Sequence, residues 1–380
     1  MVGQEKLIVY LNVTNCMKKI LLNTGLCLAL GMSVALSLSS CEDWTDVESL
    51  DINSPSLEEQ NPQLYEDYLK DLNAYKASDH KIVMVSVENT LDPVKQAERL
   101  SVLPDSIDYV CLNNPDGLSV GAMEEIGKAR RKGIKVVYKI DFDELENNWK
   151  EMVKANPELT EEDALSYFSS SLKEQISLVD KYNYDGVVAN YTGSSLVSMT
   201  PDRLDIYKNR QSTLLDVLKT LKTKSQKSLI FYTNVQYLVP ENLSFTSICD
   251  YVMLKTALSS NGDDMAVKAL LAVQAGNDVK DDMYEGVNPV PNDRFIVCVQ
   301  LPKAGDKDKI IGYWNTLDAA GNKVLAAQGA AWWCVQSSTD YVRKGVFVMD
   351  VQGDYYNNTF ASIREVINIM NPSKLSLIHI

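Results

Sequence analysis

Residues 176–192 read Ile176-Ser-Leu-Val-Asp-Lys-Tyr-Asn-Tyr-Asp185-Gly186-Val-Val188-Ala-Asn190-Tyr191-Thr192. The first part closes a helical pattern spanning 161–181, Asp185-Gly186 turn the chain, and 186–191 form an almost continuous apolar run. A strand without two-residue alternation is covered on both faces, which is the condition of a parallel strand under helices.

The same unit recurs on either side. Strand-like runs fall at 81–87, 109–113, 135–140, 186–191, 229–234, 251–255, 295–299 and 329–335, with helical patterns at 93–103, 120–132, 161–181, 204–223, 265–274, 307–319 and 362–370. Eight such strands alternating with helices predict an α/β fold, a (β/α)8 TIM barrel. The competing fold, an open doubly wound sheet, lacks its phosphate turn, because Val87-Glu88-Asn89-Thr90 contains no glycine after the first strand. Leu64, Tyr68, Leu69 and Leu72 predict a leading helix before the barrel. The polar, acidic stretch 261–291 is expected to carry a loop over the mouth.

Composition narrows the chemistry. The 380 residues carry 37 Lys plus Arg against 51 Asp plus Glu, a net charge of -14 that repels phosphate backbones and excludes nucleic acid as a natural partner. His80 and His379 are the whole histidine complement, so a Ser/His/Asp triad or a multi-histidine metal site is nearly excluded by counting. No metal and no cofactor is expected. The chemistry must come from carboxylates, amides, hydroxyls and aromatics at the C-terminal ends of the strands, where a barrel keeps its open face.

The 176–192 stretch resembles glycoside hydrolase family 18, the chitinases and endo-β-N-acetylglucosaminidases, in which a helix and an Asp-Gly turn feed the strand motif D-G-x-D-x-D-x-E. Supporting segments follow in order: Ile107 to Asn113 as second strand, Gly133 to Val137 as third, Asp250-Tyr-Val252 as sixth, and Gly329-Ala-Ala-Trp-Trp333 as eighth. The resemblance implies a sugar cleft and a substrate-assisted hydrolysis in which the motif's Glu protonates the leaving oxygen. This chain departs from it. The three acidic positions after Asp185-Gly186 are Val188, Asn190 and Thr192, so the proton donor's place is held by Thr192. A hydroxyl cannot supply general acid catalysis, worth roughly 10²- to 10⁴-fold. Lys255 and Ala257 stand where the family has Met and Tyr on strand six.

A groove can persist without its acid. Pyranose rings stack on aromatics and bond amides and acids through their hydroxyls, and the strand ends supply Asn190, Tyr191, Thr192, Tyr232, Asn234, Lys255, Gln300, Trp333 and Gln336 as ligand-binding candidates, with Asn113 and Asn114 after strand two. Trp333 corresponds to the tryptophan that floors the family's sugar pocket. The alternative for Trp333 is a packed core aromatic, for Asn190 a buried capped amide, and for Lys255 a structural ion pair. Trp332, of opposite strand parity, is expected to pack against helices.

The N-terminal region points to export. From Met17 the chain reads MKKILLNTGLCLALGMSVALSLSSC, with Lys18 and Lys19 before an apolar stretch and small residues before Cys41. This is a secretory signal, and Leu38-Ser-Ser-Cys41 resembles a lipobox, which implies lipidation of Cys41; a membrane helix ending at an incidental cysteine is the alternative. Glu42, Asp43, Asp46, Glu48 and Asp51 resemble the export signal of Bacteroidetes surface lipoproteins. The expected organisation is a signal at 1–40 with its start at Met17, a lipidated linker at 41–60, the leading helix at 61–80 and the barrel at 81–373. Residues 375–380 follow no periodic logic. Of the remaining cysteines, Cys111, Cys249, Cys298 and Cys334 are expected to be buried free thiols.

Three functions compete on this reading. The first is a non-catalytic surface lipoprotein of the outer membrane that captures N-acetylglucosamine-containing glycans for partner glycosidases and an outer-membrane transporter. The second is an active glycosidase using relocated acids among Glu88, Asp141, Asp143, Glu144 and Asp340. The third is a protein-binding scaffold without a sugar ligand.

Overall fold

The computed structural model describes residues 57–303 and 305–372; the signal, Cys41 and residues 375–380 lie outside the described residues. Chain contacts divide the sequence into 1–63 and 64–380. The described part of the first unit holds one helical turn, α1 (Leu57–Gln60), and α2 (Pro62–Ala77) begins at the border. The expected leading helix is therefore present.

The second unit is a closed barrel of eight parallel strands. In chain order the elements are β1 (Ile82–Val87), β2 (Tyr109–Leu112), α3 (Val120–Arg131), β3 (Lys135–Asp141), α4 (Phe142–Ala155), α5 (Glu161–Lys181), β4 (Gly186–Tyr191), α6 (Pro201–Ser225), β5 (Ser228–Thr233), β6 (Tyr251–Leu254), α7 (Gly262–Asn277), α8 (Lys280–Met283) and β7 (Phe295–Gln300). There follow a small antiparallel pair, β8 (Tyr313–Leu317) and β9 (Lys323–Leu325), then α9 (Ala326–Val335), β10 (Arg343–Met349) and α10 (Ala361–Met370). The barrel order is β1-β10-β7-β6-β5-β4-β3-β2, so the eighth barrel strand is β10. Among the described residues no helix is long and apolar enough to cross a membrane.

Four expectations are corrected. Residues 329–335 are a helix, because Ala326, Ala327, Ala330 and Ala331 favour helix and an almost wholly apolar run shows no periodicity to separate it from a strand. Gly329 is required there, since a Cβ would come within 2.3 Å of the Trp314 ring. Residues 93–103 form two short 3-10 turns, Gln96–Glu98 and Leu100–Val102. Residues 307–319 contain β8 instead of a helix. The 261–291 segment is chiefly α7, whose Met265, Ala269 and Ala272 are buried in the outer core, and so is not a loop over the mouth.

Two apolar layers hold the barrel. Outward-facing strand residues pack under the helices, and an inner cluster fills the barrel with Met84, Cys111, Val137, Val188, Ile230, Met253, Ile296, Cys298 and Phe347. The interior is a packed core with its open face above it. Cys111, Cys249, Cys298 and Cys334 are all buried.

The start of β4 shows why the Asp-Gly turn is there. A Cβ on Gly186 would lie 2.1 Å from the Ser228 carbonyl oxygen, so only glycine lets β4 approach β5 at that register. The Asp185 carboxylate accepts the backbone N–H of Val136 at 2.8 Å and the Arg130 Nε at 2.9 Å. The device recurs before β2 and β6: Asp108 accepts Val83 N at 2.8 Å and faces His80, and Asp250 accepts Leu229 N at 2.7 Å and faces Lys222. At three strand junctions of this end, before β2, β4 and β6, a carboxylate thus fixes the preceding strand, with a basic side chain beside it.

Candidate functional site

The mouth is built by the last inward positions of the strands. On β4, Val188 belongs to the inner apolar cluster, so Asn190 and Thr192 share its face by two-residue parity. On β3 the chain passes directly into α4 with Asp141 as its N-cap, accepting Glu144 N at 3.3 Å. This abrupt junction places Asp143, in the first turn of α4, against the end of β4.

A single network joins these groups. Asn190 donates through Nδ2 to Asp141 at 2.7 Å and to Asp143 at 3.3 Å, and its Oδ1 accepts from Lys255 Nζ. Thr192 donates to Asp143 twice, from its backbone N at 2.8 Å and its hydroxyl at 2.5 Å. Lys255 lies 3.8 Å from Asp143 and 3.8 Å above the Tyr232 ring centroid. Lys139 pairs with Asp141 at 3.2 Å, and Asn234 donates to the Thr192 carbonyl at 3.1 Å.

Burial acts on the buried members. Desolvation lowers the Lys255 ammonium below its usual range, with Asp143 and then Asp141 opposing it. Desolvation raises Tyr232 well above the usual phenol range and pushes the Cys298 thiol beneath it up to about 12. Neither is a nucleophile in this setting.

A second polar group lies across the mouth. Asn113 Nδ2 donates to Glu88 and to Asp350, each at 3.0 Å, while Asn114 donates to Glu88 at 3.1 Å. Ser86 and Asp350 exchange bonds at 3.1 and 2.9 Å. Asp350 adopts φ 54°, a left-handed conformation that turns the chain directly after β10. Asp350, Ser86 and Lys139 were not among the residues read from sequence. The signal is present, since Gly345-Val-Phe-Val-Met349 is an apolar run followed by Asp350, but the apolar run 329–335 competes with it for the place of the last strand.

The structure brings together Asn190, Thr192, Tyr232, Asn234 and Lys255, and strand parity adds Gln300 at the end of β7, above Cys298. Among the acids considered, Glu88, Asp141 and Asp143 reach the mouth. Glu144 is exposed on α4. Four candidates fall elsewhere. Tyr191 has outward parity; it is buried beside Phe142 and accepts Gln211 Nε2 at 3.1 Å. Trp333, on α9, is 3% exposed in the outer core with the Arg343 guanidinium 4.3 Å above its ring. Gln336 caps that helix and accepts Arg343 Nη1 at 3.2 Å. Arg343 begins β10, so both residues, like Asp340 just before it, belong to the end opposite the mouth. Trp332, expected to pack against helices, is 58% exposed.

The mouth therefore has an apolar floor, an aromatic ring under a cation, and a rim of amides with four carboxylates, Glu88, Asp141, Asp143 and Asp350, against Lys139 and Lys255. Among the described residues no group of three or more His, Cys, Asp or Glu is placed to hold a metal ion. The set offers donors and acceptors for hydroxyl and amide groups.

No curated protein matches the sequence. Among solved structures, BT1044, in a selenomethionine form carrying a Glu-to-Gln change, matches with a TM-score of 0.57 at 14% identity over 83% of this chain and 95% of that one. The endo-β-N-acetylglucosaminidase of Cordyceps militaris matches as a ligand-bound double mutant with a TM-score of 0.53 at 17% identity, covering 80% of this chain and 95% of that one. Its apo form gives 0.52 at 16% identity, covering 80% and 96%. At such identities the likeness is one of fold. The family model described as glycoside hydrolase family 18, BT1044-like, matches residues 45–369, and the chain belongs to that family.

Proposed function

We propose that the chain is a non-catalytic glycan-binding member of the family, whose barrel mouth captures N-acetylglucosamine-containing glycans such as N-glycans. One observation carries this reading: where the motif's acids would stand, Asn190 and Thr192 instead donate hydrogen bonds to Asp143, whose two oxygens are both taken. An acceptor held by three donors is arranged to receive protons, not to deliver one to a leaving oxygen. Val188 supports the same reading, because the first acidic position of the motif is held by an apolar side chain that belongs to the inner apolar cluster of the barrel. The Cordyceps militaris enzyme was solved in complex with fucosyl-N-acetylglucosamine-Asn, which supports the choice of sugar.

The lipidated location belongs to the same proposal. The Met17 signal and Cys41 support an outer-membrane lipoprotein, exposed at the surface, that passes glycans to partner glycosidases and a transporter. Metabolic labelling with an alkyne fatty acid tests it: label on the wild type and none on Cys41→Ala is expected, and equal label on both counts against it.

Calorimetry of the chain from Cys41 onward tests the ligand, using N,N′-diacetylchitobiose, longer chitin oligomers and free N-glycans. Saturable binding to at least one class is expected, and no heat with any of them refutes the reading. A second reading rests on one specific contact. Asp143 lies 2.5 Å from Thr192 Oγ1, close to the place of the missing acid, so hydrolysis lost in Asp143→Asn would make the chain an active glycosidase with a relocated acid.

A further inference from the structure

At the end of the barrel opposite the mouth, the joint between α2 and β1 holds His80, the one histidine among the described residues. Its Nδ1 lies 2.8 Å from the Ser78 carbonyl oxygen and its Nε2 lies 2.9 Å from Asp108 Oδ1, while Asp108 Oδ2 accepts Val83 N at 2.8 Å. A carbonyl and a carboxylate can only accept, so both ring nitrogens must donate, and only the imidazolium does that. The His80 and Asp108 side chains are 6% and 7% exposed, and the Tyr75 ring packs 4.7 Å from the imidazole. Little apolar contact holds α2 beside them. Of its 16 residues only Leu69 and Leu72 are buried. The other ties are polar: Tyr68 donates to Asp105 at 2.6 Å, Asn73 to the Arg131 carbonyl at 3.2 Å and Lys76 to the Ile107 carbonyl, while Glu66 pairs with Arg131 at 3.0 Å. The Tyr75 hydroxyl is buried without a partner.

We propose that His80 is a proton-controlled clasp: as an imidazolium it pins α2 to the barrel, and on losing its proton it lets go of one acceptor and loosens the helix through which the chain enters the barrel. A neutral imidazole keeps one N–H, so its other nitrogen would present a lone pair to an acceptor oxygen at hydrogen-bond distance, and the two must part. The surrounding charges set the direction. The hydrogen bond to Asp108 is the largest cause raising the imidazole above its ordinary value of 6.5; burial opposes it, as does Lys344 of β10, which is itself paired with Asp79 at 2.8 Å. Lys76 on α2 faces the same Asp108, with Asp105 and Lys132 beside it. Because the folded value is raised, the clasp's contribution is complete below pH 6.5 and is lost as pH rises through the folded value. Lys76 works in the opposite sense, and only near pH 8, where burial places its titration.

Two measurements on the full chain test the clasp. Ring-nitrogen NMR follows the titration of His80, assigned as the histidine signal that disappears in His80→Gln, since His379 is the other histidine. A midpoint above 6.5 is expected. Hydrogen-exchange mass spectrometry gives the protection factors of residues 64–77 over the same pH range. Protection is expected to fall about tenfold as pH rises from 5.5 through the midpoint of the ring, the worth of one charge-assisted bond, while that of α5 stays constant. Asp108→Asn keeps an acceptor for Val83 N and removes the charge, so it is expected to move both midpoints to lower pH, a shift that a merely space-filling histidine would not show. His80→Gln is expected to abolish the step in protection. A ring midpoint at or below 6.5, protection of 64–77 that does not change with pH, a step that persists in His80→Gln, or midpoints that stay in place in folded Asp108→Asn each overturn the proposal.

Discussion

The Asp143 carboxylate grips Thr192 at two points, 2.8 Å from its backbone nitrogen and 2.5 Å from its hydroxyl. One bond fixes the end of β4 to the start of α4, and the other engages the side chain that stands at the family motif's Glu position. Asn190 and Thr192 are thereby tied into one hydrogen-bond network of the mouth.

Asn190→Asp restores a family residue in a place that no longer suits it. Its new carboxylate would face Asp141 at the 2.7 Å now spanned by an amide donor, with Asp143 beyond. Like charges at that separation disfavour ionisation, and Lys255 offsets only part of the repulsion. The variant is expected to be less stable than the wild type by about 1–2 kcal/mol at pH 7, within the ordinary range for a single substitution. The deficit should shrink as pH falls toward 4 and the added acid is protonated. Urea unfolding at both pH values measures it, and a deficit independent of pH contradicts the electrostatic explanation.

Gly186→Ala tests the packing of β4 on β5. The added methyl meets the Ser228 carbonyl at 2.1 Å, a backbone atom that cannot swing away, so a loss of about 1–3 kcal/mol or more is expected in urea unfolding. Gly353→Ala serves as a comparison, because its Cβ meets open space and its stability should lie close to that of the wild type.

Lys76 provides a pH signature at the other end of the barrel. Its ammonium donates to the Ile107 carbonyl at 2.5 Å, and burial lowers it to about 8, with Asp108 and Asp105 opposing. Below pH 8 the folded chain carries the full cost of a buried charge. Between pH 8 and the ordinary lysine range the unfolded chain binds more protons than the folded one, so this residue makes stability rise with pH. Lys76→Met should remove that rise. A difference between wild-type and variant stability that is flat from pH 7 to 10.5 would contradict it.

Seven of the eight barrel strands were legible because each is a short apolar run, and the Asp185-Gly186 turn carried the fourth with its register. The eighth was lost to a rule of the chemistry: the Ala-rich α9 is apolar on every side and reads as a buried strand, although its alanines favour helix. That one exchange moved Trp333, Gln336 and Asp340 to the wrong end and hid Asp350. Their place at strand ends pointed to Asn190, Thr192, Tyr232, Asn234 and Lys255, and two-residue parity excludes Tyr191 from the same face. The partners of Asn190 were beyond sequence reading, since Asp141 and Asp143 meet it only because β3 enters α4 without a loop.

The most direct measurement follows the fate of the sugar. N,N′,N″-triacetylchitotriose and a free N-glycan are incubated at equilibrium with the chain, binding is read by calorimetry, and the recovered sugar is weighed by mass spectrometry. The account predicts binding with every glycosidic bond intact, in the wild type and in Asp143→Asn alike. Cleaved products from the wild type that disappear in Asp143→Asn would contradict it.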